Sequence, residues 1–407
     1  MTTSMTSTVP LNVKCLLDAY VGGGQLPGAF VACIKKDSDK PLYMYQTGWK
    51  EVQDEKLHGN LGERALYRIY SMTKPIVSVL TMIIRDEGTL ELDDPISKYL
   101  PMFKKHPKVM EADGKLSEAQ RPITIRHLLT HTSGFTYGFF PSFPKIVGMY
   151  QDRKMASLDE IFGNTAKEIC EKLSQIPLCF HPGDHFQYSL STDVLGYLLE
   201  VATGKTLSQL LQEKLLGPLE MSDTTFKIPE EDLKRVHPLY FLEPGFTITR
   251  NMKGYEDTEA RGLGKPPVLE SGGGGLFSTG EDYLKFMQFL LNEGEYKGRR
   301  LMKKKTFKEM TETNQLKGNK TLAESILPGG YPALSGKGWN LIGSIVTDDS
   351  ISHHGAIGEY GWGGYASTYF QVDPSNGIAF LLLTQVVPSG GLYLRPQLSY
   401  AVHNASS

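Results

Sequence analysis

"YRIYSMTKPIVSVLTMIIRDEG", residues 67–88, sets a serine and a lysine three positions apart at the head of an apolar run. Ile76, Val79, Leu80, Ile83 and Ile84 recur at helical spacing, so the run predicts a helix with a buried stripe. Residues i and i+3 share one helix face, about 5–6 Å apart at Cβ. If Ser71 opens the helix, the Lys74 amine reaches Ser71 Oγ. The helix N-terminus adds free N–H groups and a partial positive charge. These favour an alkoxide, and with shielding from water they are expected to depress the Lys74 pKa so that the amine acts as a base. Serine needs such help, since a positioned base contributes about 10²–10⁴-fold. By itself the pattern is weak: the chain holds two matches, about the chance expectation. The other, Ser142-Phe-Pro-Lys145, lies between Pro141 and Pro144, which preclude a regular helix. Pro75 is the awkward residue at the first site. It disfavours α geometry at Lys74, although proline is tolerated in a first turn.

The surrounding chain narrows the class. At 407 residues it exceeds one usual core, so two domains or one composite domain is expected. A net charge of −2 supplies no field that selects nucleic acid or an anionic membrane. The basic run "GRRLMKKKTFKEM" (298–310) carries a single aromatic, too few for base stacking, and reads as a solvated helix face. No window reaches the ~20 apolar residues of a membrane span. The start, "MTTSMTSTVPLN", has neither the charged nor the apolar region of a signal peptide. Cys15, Cys33, Cys170 and Cys179 show no CxxC spacing and read as reduced thiols in a cytoplasmic protein.

Strand-forming stretches sit at both ends. A helix (about 11–22) precedes "GAFVACIKK" (28–36) and "PLYMYQTGWKEV" (41–52), joined by the turn "DSDK". "GYASTYFQVDP" (364–374) and "GIAFLLLTQVV" (377–387) predict a second antiparallel hairpin before a closing helix (394–405). Between them, 124–134, 166–176, 191–204 and 281–294 have helical spacing. The expected architecture is α+β. Residues 1–74 and 270–407 form a discontinuous sheet domain, residues 75–269 a mainly helical one, and a cleft runs between them.

"SMTK" followed by an apolar helix and "GTLELDDPISKYLP" (88–101) resembles the serine β-lactamase and penicillin-binding-protein superfamily, in its class C-like branch. "ITIRHLLTHTSGF" (123–135), "PGDHFQYSLSTDVLGYLLEVATG" (182–204), "GPLEMSDTTF" (217–226), "SGGGGLFSTGEDYLKFM" (271–287) and "GWGGYASTYFQVDP" (361–374) match that branch in order and spacing. The resemblance runs from about residue 10 to 400 and implies a β-lactamase/transpeptidase-like fold.

It also implies roles. The family's Tyr-x-Asn motif falls on Tyr188-Ser189-Leu190. Tyr188 becomes the general base of acylation and the activator of water or an alcohol in deacylation. Leu190 stands where lactamases carry an asparagine, and its apolar side chain cannot bind a β-lactam amide. The Lys-Thr-Gly motif falls on Trp362-Gly363-Gly364, as in family VIII carboxylesterases and the statin-type acyltransferases; a rival placement is His354-Gly355. Losing the lysine removes a cation for a substrate carboxylate, and tryptophan offers an apolar wall and one N–H donor. The oxyanion hole is expected from the N–H groups of Ser71 and Tyr365, a single donor being worth about 2.7–4 kcal/mol. His127 and His131, i and i+4 on an expected helix, lack a third metal ligand. "ESGGGG" (from Glu270) lacks the Lys-Ser/Thr ending of a phosphate loop and reads as a tight turn beside the cleft. No Gly-x-Ser-x-Gly elbow occurs. The implied protein is a cofactor-free, metal-free serine hydrolase acting on a small-molecule ester. The alternatives are an acyltransferase, a β-lactamase or DD-peptidase, and a silent binding protein of the same fold. Acyl chain, leaving group and oligomeric state are open.

Overall fold

The computed structural model describes residues 9–38, 40–48, 64–105, 107–250, 262–319, 322, 334–350 and 355–406. A seven-stranded antiparallel sheet organises them. Its strands are β1 (Gly28–Lys35), β2 (Tyr43–Gly48), β3 (Lys337–Trp339), β4 (Ser344–Val346), β5 (Tyr360–Gly363), β6 (Tyr369–Asp373) and β7 (Ile378–Leu383). Their order is β3-β4-β5-β6-β7-β1-β2. Phe30 of β1 pairs with Leu383 of β7, so strands from both ends of the chain share the sheet.

β1 reads as a nearly continuous apolar run because both of its faces are covered. Val31 and Cys33 face a core formed with α1 (Leu11–Gly22) and the closing helix, while Phe30, Ala32 and Ile34 face the larger core. That larger core contains α2 (Thr73–Asp86). Every residue from Thr73 to Ile84 is buried, not only the stripe expected from the sequence, because α2 has packing partners on every side. Around it lie the short α3 (Ile125–Leu129), α4 (Ser191–Thr203) and α5 (Gly280–Leu291). α5 approaches the sheet closely: a Cβ on Gly280 would stand 2.6 Å from the Phe30 ring. The basic run forms the helix Lys304–Thr311, with Phe307 and Met310 buried and lysines such as Lys304 paired to acids.

The closing helix, α6 (Leu394–Ser406), is fixed to the sheet by polar groups as well as apolar ones. His403 Nδ1 donates to the Ser399 carbonyl at 2.7 Å, and Nε2 lies 2.8 Å from Glu359 Oε1 and 3.4 Å from Asp373 Oδ2. Burial opposes the charge on His403, but the two carboxylates outweigh it and push its pKa up to about 10. The charged imidazole therefore stabilises the fold fully below its unfolded pKa of about 6.5, and the contribution fades as pH rises toward about 10. Thermal melts should show a steeper fall in Tm between pH 7 and 10 for the parent than for His403→Gln. Equal slopes would remove the tie.

Candidate active site

Ser71 does not cap a helix. It lies on a 3₁₀ turn, Tyr70–Met72, that continues directly into α2. Met72 is the N-cap, so Pro75 falls in the first turn, where its missing N–H has no intrahelical partner to lose. Lys74 is helical despite the proline that follows. Tyr70 adopts φ 44°, a sparsely populated region for an aromatic residue, and the strained turn leaves Ser71 half-exposed.

Lys74 is buried, and its ammonium has three acceptors for its three protons. They are the Gly273 carbonyl at 2.6 Å, the Tyr137 hydroxyl at 3.1 Å and Ser71 Oγ at 3.3 Å. Nζ also lies 4.6 Å from the centre of the Tyr188 ring. Burial works against the charge, but Tyr137, Tyr188 and Asp193 outweigh it and hold the pKa above the ordinary lysine value. The expectation of a depressed lysine is thus corrected. The partial charge of the helix terminus is opposed by two phenols and a buried carboxylate, and Lys74 rests protonated.

The Gly273 peptide connects that ammonium to its counter-charge. Gly273 N–H donates to Asp193 Oδ1 at 3.1 Å, and the Ser271 hydroxyl donates to the same oxygen. Asp193 is buried in the first turn of α4, which raises its pKa, with Lys74 pulling the other way. Residue 273 must be glycine, since a Cβ would meet Asp193 Oδ2 at 2.4 Å. The glycine-rich stretch is the turn expected from the sequence, and it touches Lys74 directly.

Tyr188 is half-buried beyond Lys74. The Trp362 indole N–H donates to its oxygen at 2.9 Å, linking the second and third motifs. An indole N–H only donates, so the Tyr188 oxygen is the acceptor. Behind Tyr188, His131 packs at 4.5 Å between ring centres, and Trp339 meets Trp362 at 4.6 Å. Burial first, and Lys74 second, push the His131 pKa well below its usual value, so the ring is neutral.

β5 ends at Gly363, and a turn leads into β6, closed by Gly364 N–H donating to the Thr368 carbonyl at 2.9 Å. A Cβ on Gly364 would stand 2.4 Å from the Ile69 carbonyl oxygen. The turn therefore lies directly against the segment that presents Ser71, and the Tyr365 ring packs edge-on to Tyr70 at 5.8 Å. His354, in the rival placement, lies outside the described residues.

Two expectations fail: that Leu190 lines the substrate site, and that His127 and His131 share one helix. Leu190 is completely buried as the N-cap of α4, so its side chain belongs to the core and does not reach a ligand. His127 and His131 do not share a helix face. α3 ends at Leu129 and His131 takes φ 53°, while His127 Nδ1 accepts the Thr124 N–H at 3.2 Å. The sequence reading missed Tyr137, Asp193 and Trp339. A cavity of about 470 Å³ lined by Phe143, Lys145, Phe180 and His181 holds the lysine of the second Ser-x-x-Lys match and none of the residues around Ser71.

Comparison with known proteins follows the same outline. The beta-lactamase family model matches residues 13–399. The uncharacterized protein MT1414 of Mycobacterium tuberculosis (strain CDC 1551 / Oshkosh) is 34% identical over 372 residues, covering 90% of this chain and 87% of that protein. Esterase EstB of Burkholderia gladioli is 28% identical over 360 residues, covering 83% and 82%. Among solved structures, EstCE1, a hydrolase with promiscuous acyltransferase activity, superposes with TM-score 0.77 at 23% identity over 96% of this chain and 97% of that one, a likeness of fold.

Proposed function

Because the chain belongs to the beta-lactamase family, we propose that it is a serine hydrolase that cleaves small carboxylic esters through an acyl-enzyme on Ser71. The observation that carries the substrate class is the Trp362–Tyr188 hydrogen bond. Where relatives that bind carboxylate present a cation, this chain presents an indole whose one N–H is already engaged. With Leu190 buried as well, neither motif offers a polar side chain to a β-lactam. The similarity to an esterase supports the same reading.

Ser71 Oγ attacks the ester carbon and passes its proton to Tyr188, which accepts it as the phenolate and becomes the phenol. The Lys74 ammonium and the Trp362 N–H stabilise the negative charge that Tyr188 and Ser71 share along this path. The tetrahedral oxyanion is held by the N–H groups of Ser71 and Tyr365. Tyr188 then returns the proton to the leaving alcohol and activates water, or an acceptor alcohol, to release the acyl group. Trp362, Gly363 and Gly364 line the ester's approach. No cofactor or nucleic acid takes part. We read residues 1–74 and 270–407 as the sheet domain and 75–269 as the helical one, with Ser71 where they meet. Among the described residues no helix is long and apolar enough to cross a membrane. All four cysteines are free, which supports a cytoplasmic location.

The test sets nitrocefin beside p-nitrophenyl acetate, butyrate and octanoate. Ester turnover is expected to dominate, and strong nitrocefin turnover without ester turnover would reverse the assignment. Products analysed with and without added alcohol separate hydrolysis from acyl transfer. Tyr137→Phe, which removes one acceptor from the Lys74 ammonium, is expected to lower kcat about 10-fold with KM nearly unchanged. Steady-state kinetics on the butyrate ester reads this directly, and an unaltered kcat would dismiss Tyr137 from the proton path.

A further inference from the structure

Arg395 arrives from the opposite side of the sheet, on the first turn of α6. Its Nη2 donates to the Gly364 carbonyl at 2.6 Å and to the Thr368 carbonyl at 2.8 Å. Those carbonyls stand at the two ends of the turn that carries Tyr365. The guanidinium also occupies the space of a side chain at position 363: a Cβ on Gly363 would be 2.5 Å from Arg395 Cζ. Gly363 is thus a glycine because Arg395 is behind it.

Otherwise the guanidinium lies over the Tyr369 ring, 5.5 Å from its centre. Nε is enclosed and has no hydrogen-bond partner among the described residues. Burial pulls the guanidinium down to about 10, and the groups that oppose this are Tyr369 and Tyr188, neither of them a carboxylate. Among the described residues no carboxylate pairs with it, and a buried charge without a counter-ion is costly to the fold. The arrangement therefore does not serve the fold alone. The turn lies between Ile69 on one side and Arg395 on the other.

Building on the ester-hydrolase reading, we infer that Arg395 is a positioning residue that holds the Gly363–Thr368 turn in register with Ser71. It places a positive charge behind the third motif where that motif's own strand carries none. It acts through the turn and touches no substrate.

The experiment compares Arg395→Met, which keeps the length and removes the charge and the donors, with the parent. The expected result is a kcat about 10–100-fold lower, the size of a misplaced oxyanion donor, with KM within about 3-fold and no fall in Tm. Gly363→Ala, whose methyl group would displace the guanidinium, should reproduce that split. Millimolar guanidinium should restore part of the kcat of Arg395→Ala, which a purely structural loss would not allow. If Arg395→Met does not fold, Arg395→Lys is read instead, since the shorter side chain keeps the charge but lacks the planar guanidinium that fills the space behind Gly363. A kcat within about 2-fold of the parent, or a loss confined to KM, overturns the role. The rate of fluorophosphonate labelling at Ser71 gives the same comparison without ester turnover. A parent that labels but does not cleave esters refutes the substrate reading. A variant that labels as fast as the parent refutes only Arg395.

Discussion

Ser71→Ala should reduce turnover of p-nitrophenyl butyrate by about 10⁴-fold or more and abolish the fluorophosphonate adduct while leaving the fold intact. The size follows from what one oxygen does. It is the atom that bonds to the acyl carbon, and Lys74, Tyr188 and the turn at Gly364 have their proposed roles only in relation to it. Stability should change little, because the Lys74 ammonium keeps the Gly273 carbonyl and the Tyr137 hydroxyl as acceptors. Intact-protein mass spectrometry after labelling, together with initial rates, checks both halves. A variant retaining a tenth of the parent rate would remove Ser71 as nucleophile, and an adduct that persisted would locate the reactive group elsewhere.

Lys74→Met carries the second large effect, on two quantities at once. Activity should fall about 10²–10⁴-fold, the usual contribution of a positioned proton-handling group. Stability should fall by about 3 kcal/mol as well, because Asp193 becomes a buried carboxylate without its cation. Lys74→Met combined with Asp193→Asn should regain most of that stability and none of the activity. Urea melts and kcat on the parent, Lys74→Met, Asp193→Asn and the double variant complete the cycle. If the single variant melts with the parent, Gly273 does not couple the two charges.

The features legible in the sequence are those carried by short-range pattern. The helix after Ser71, the strands 28–35 and 378–383 and the closing helix appear near their expected places, because apolar spacing and turn residues encode them locally. The hairpin expected from 364 is shifted: residues 364–368 form the turn, and β6 begins at Tyr369. The pairing of strands from the two ends of the chain in one sheet was also readable. The missed groups share a different property. Tyr137 follows the "HTSG" turn and gains meaning only when the fold brings it to Lys74, 63 positions away in sequence. Asp193 looked like an ordinary acid at a helix start. Leu190 could not be read correctly because the Tyr-x-Asn spacing fixes the position along the chain, whereas burial against the helical core decides where the side chain points. The lysine pKa went the wrong way for the same reason: Tyr137 and Asp193 contribute to it and were not in view.

The pairing of Phe30 with Leu383 has a consequence for how the protein is made. Ser71, Lys74 and α2 emerge early in synthesis, but β1 has no inner neighbour until β7 has emerged, and Arg395 follows later still. Such long-range pairing is slow to form and leaves an apolar edge waiting for its partner. During elongation the proposed nucleophile is therefore present in a chain whose proposed oxyanion turn has not been translated. A product stalled before residue 378 would carry the serine without the strand that pairs with β1, so hydrolysis is expected only once that strand has joined the sheet.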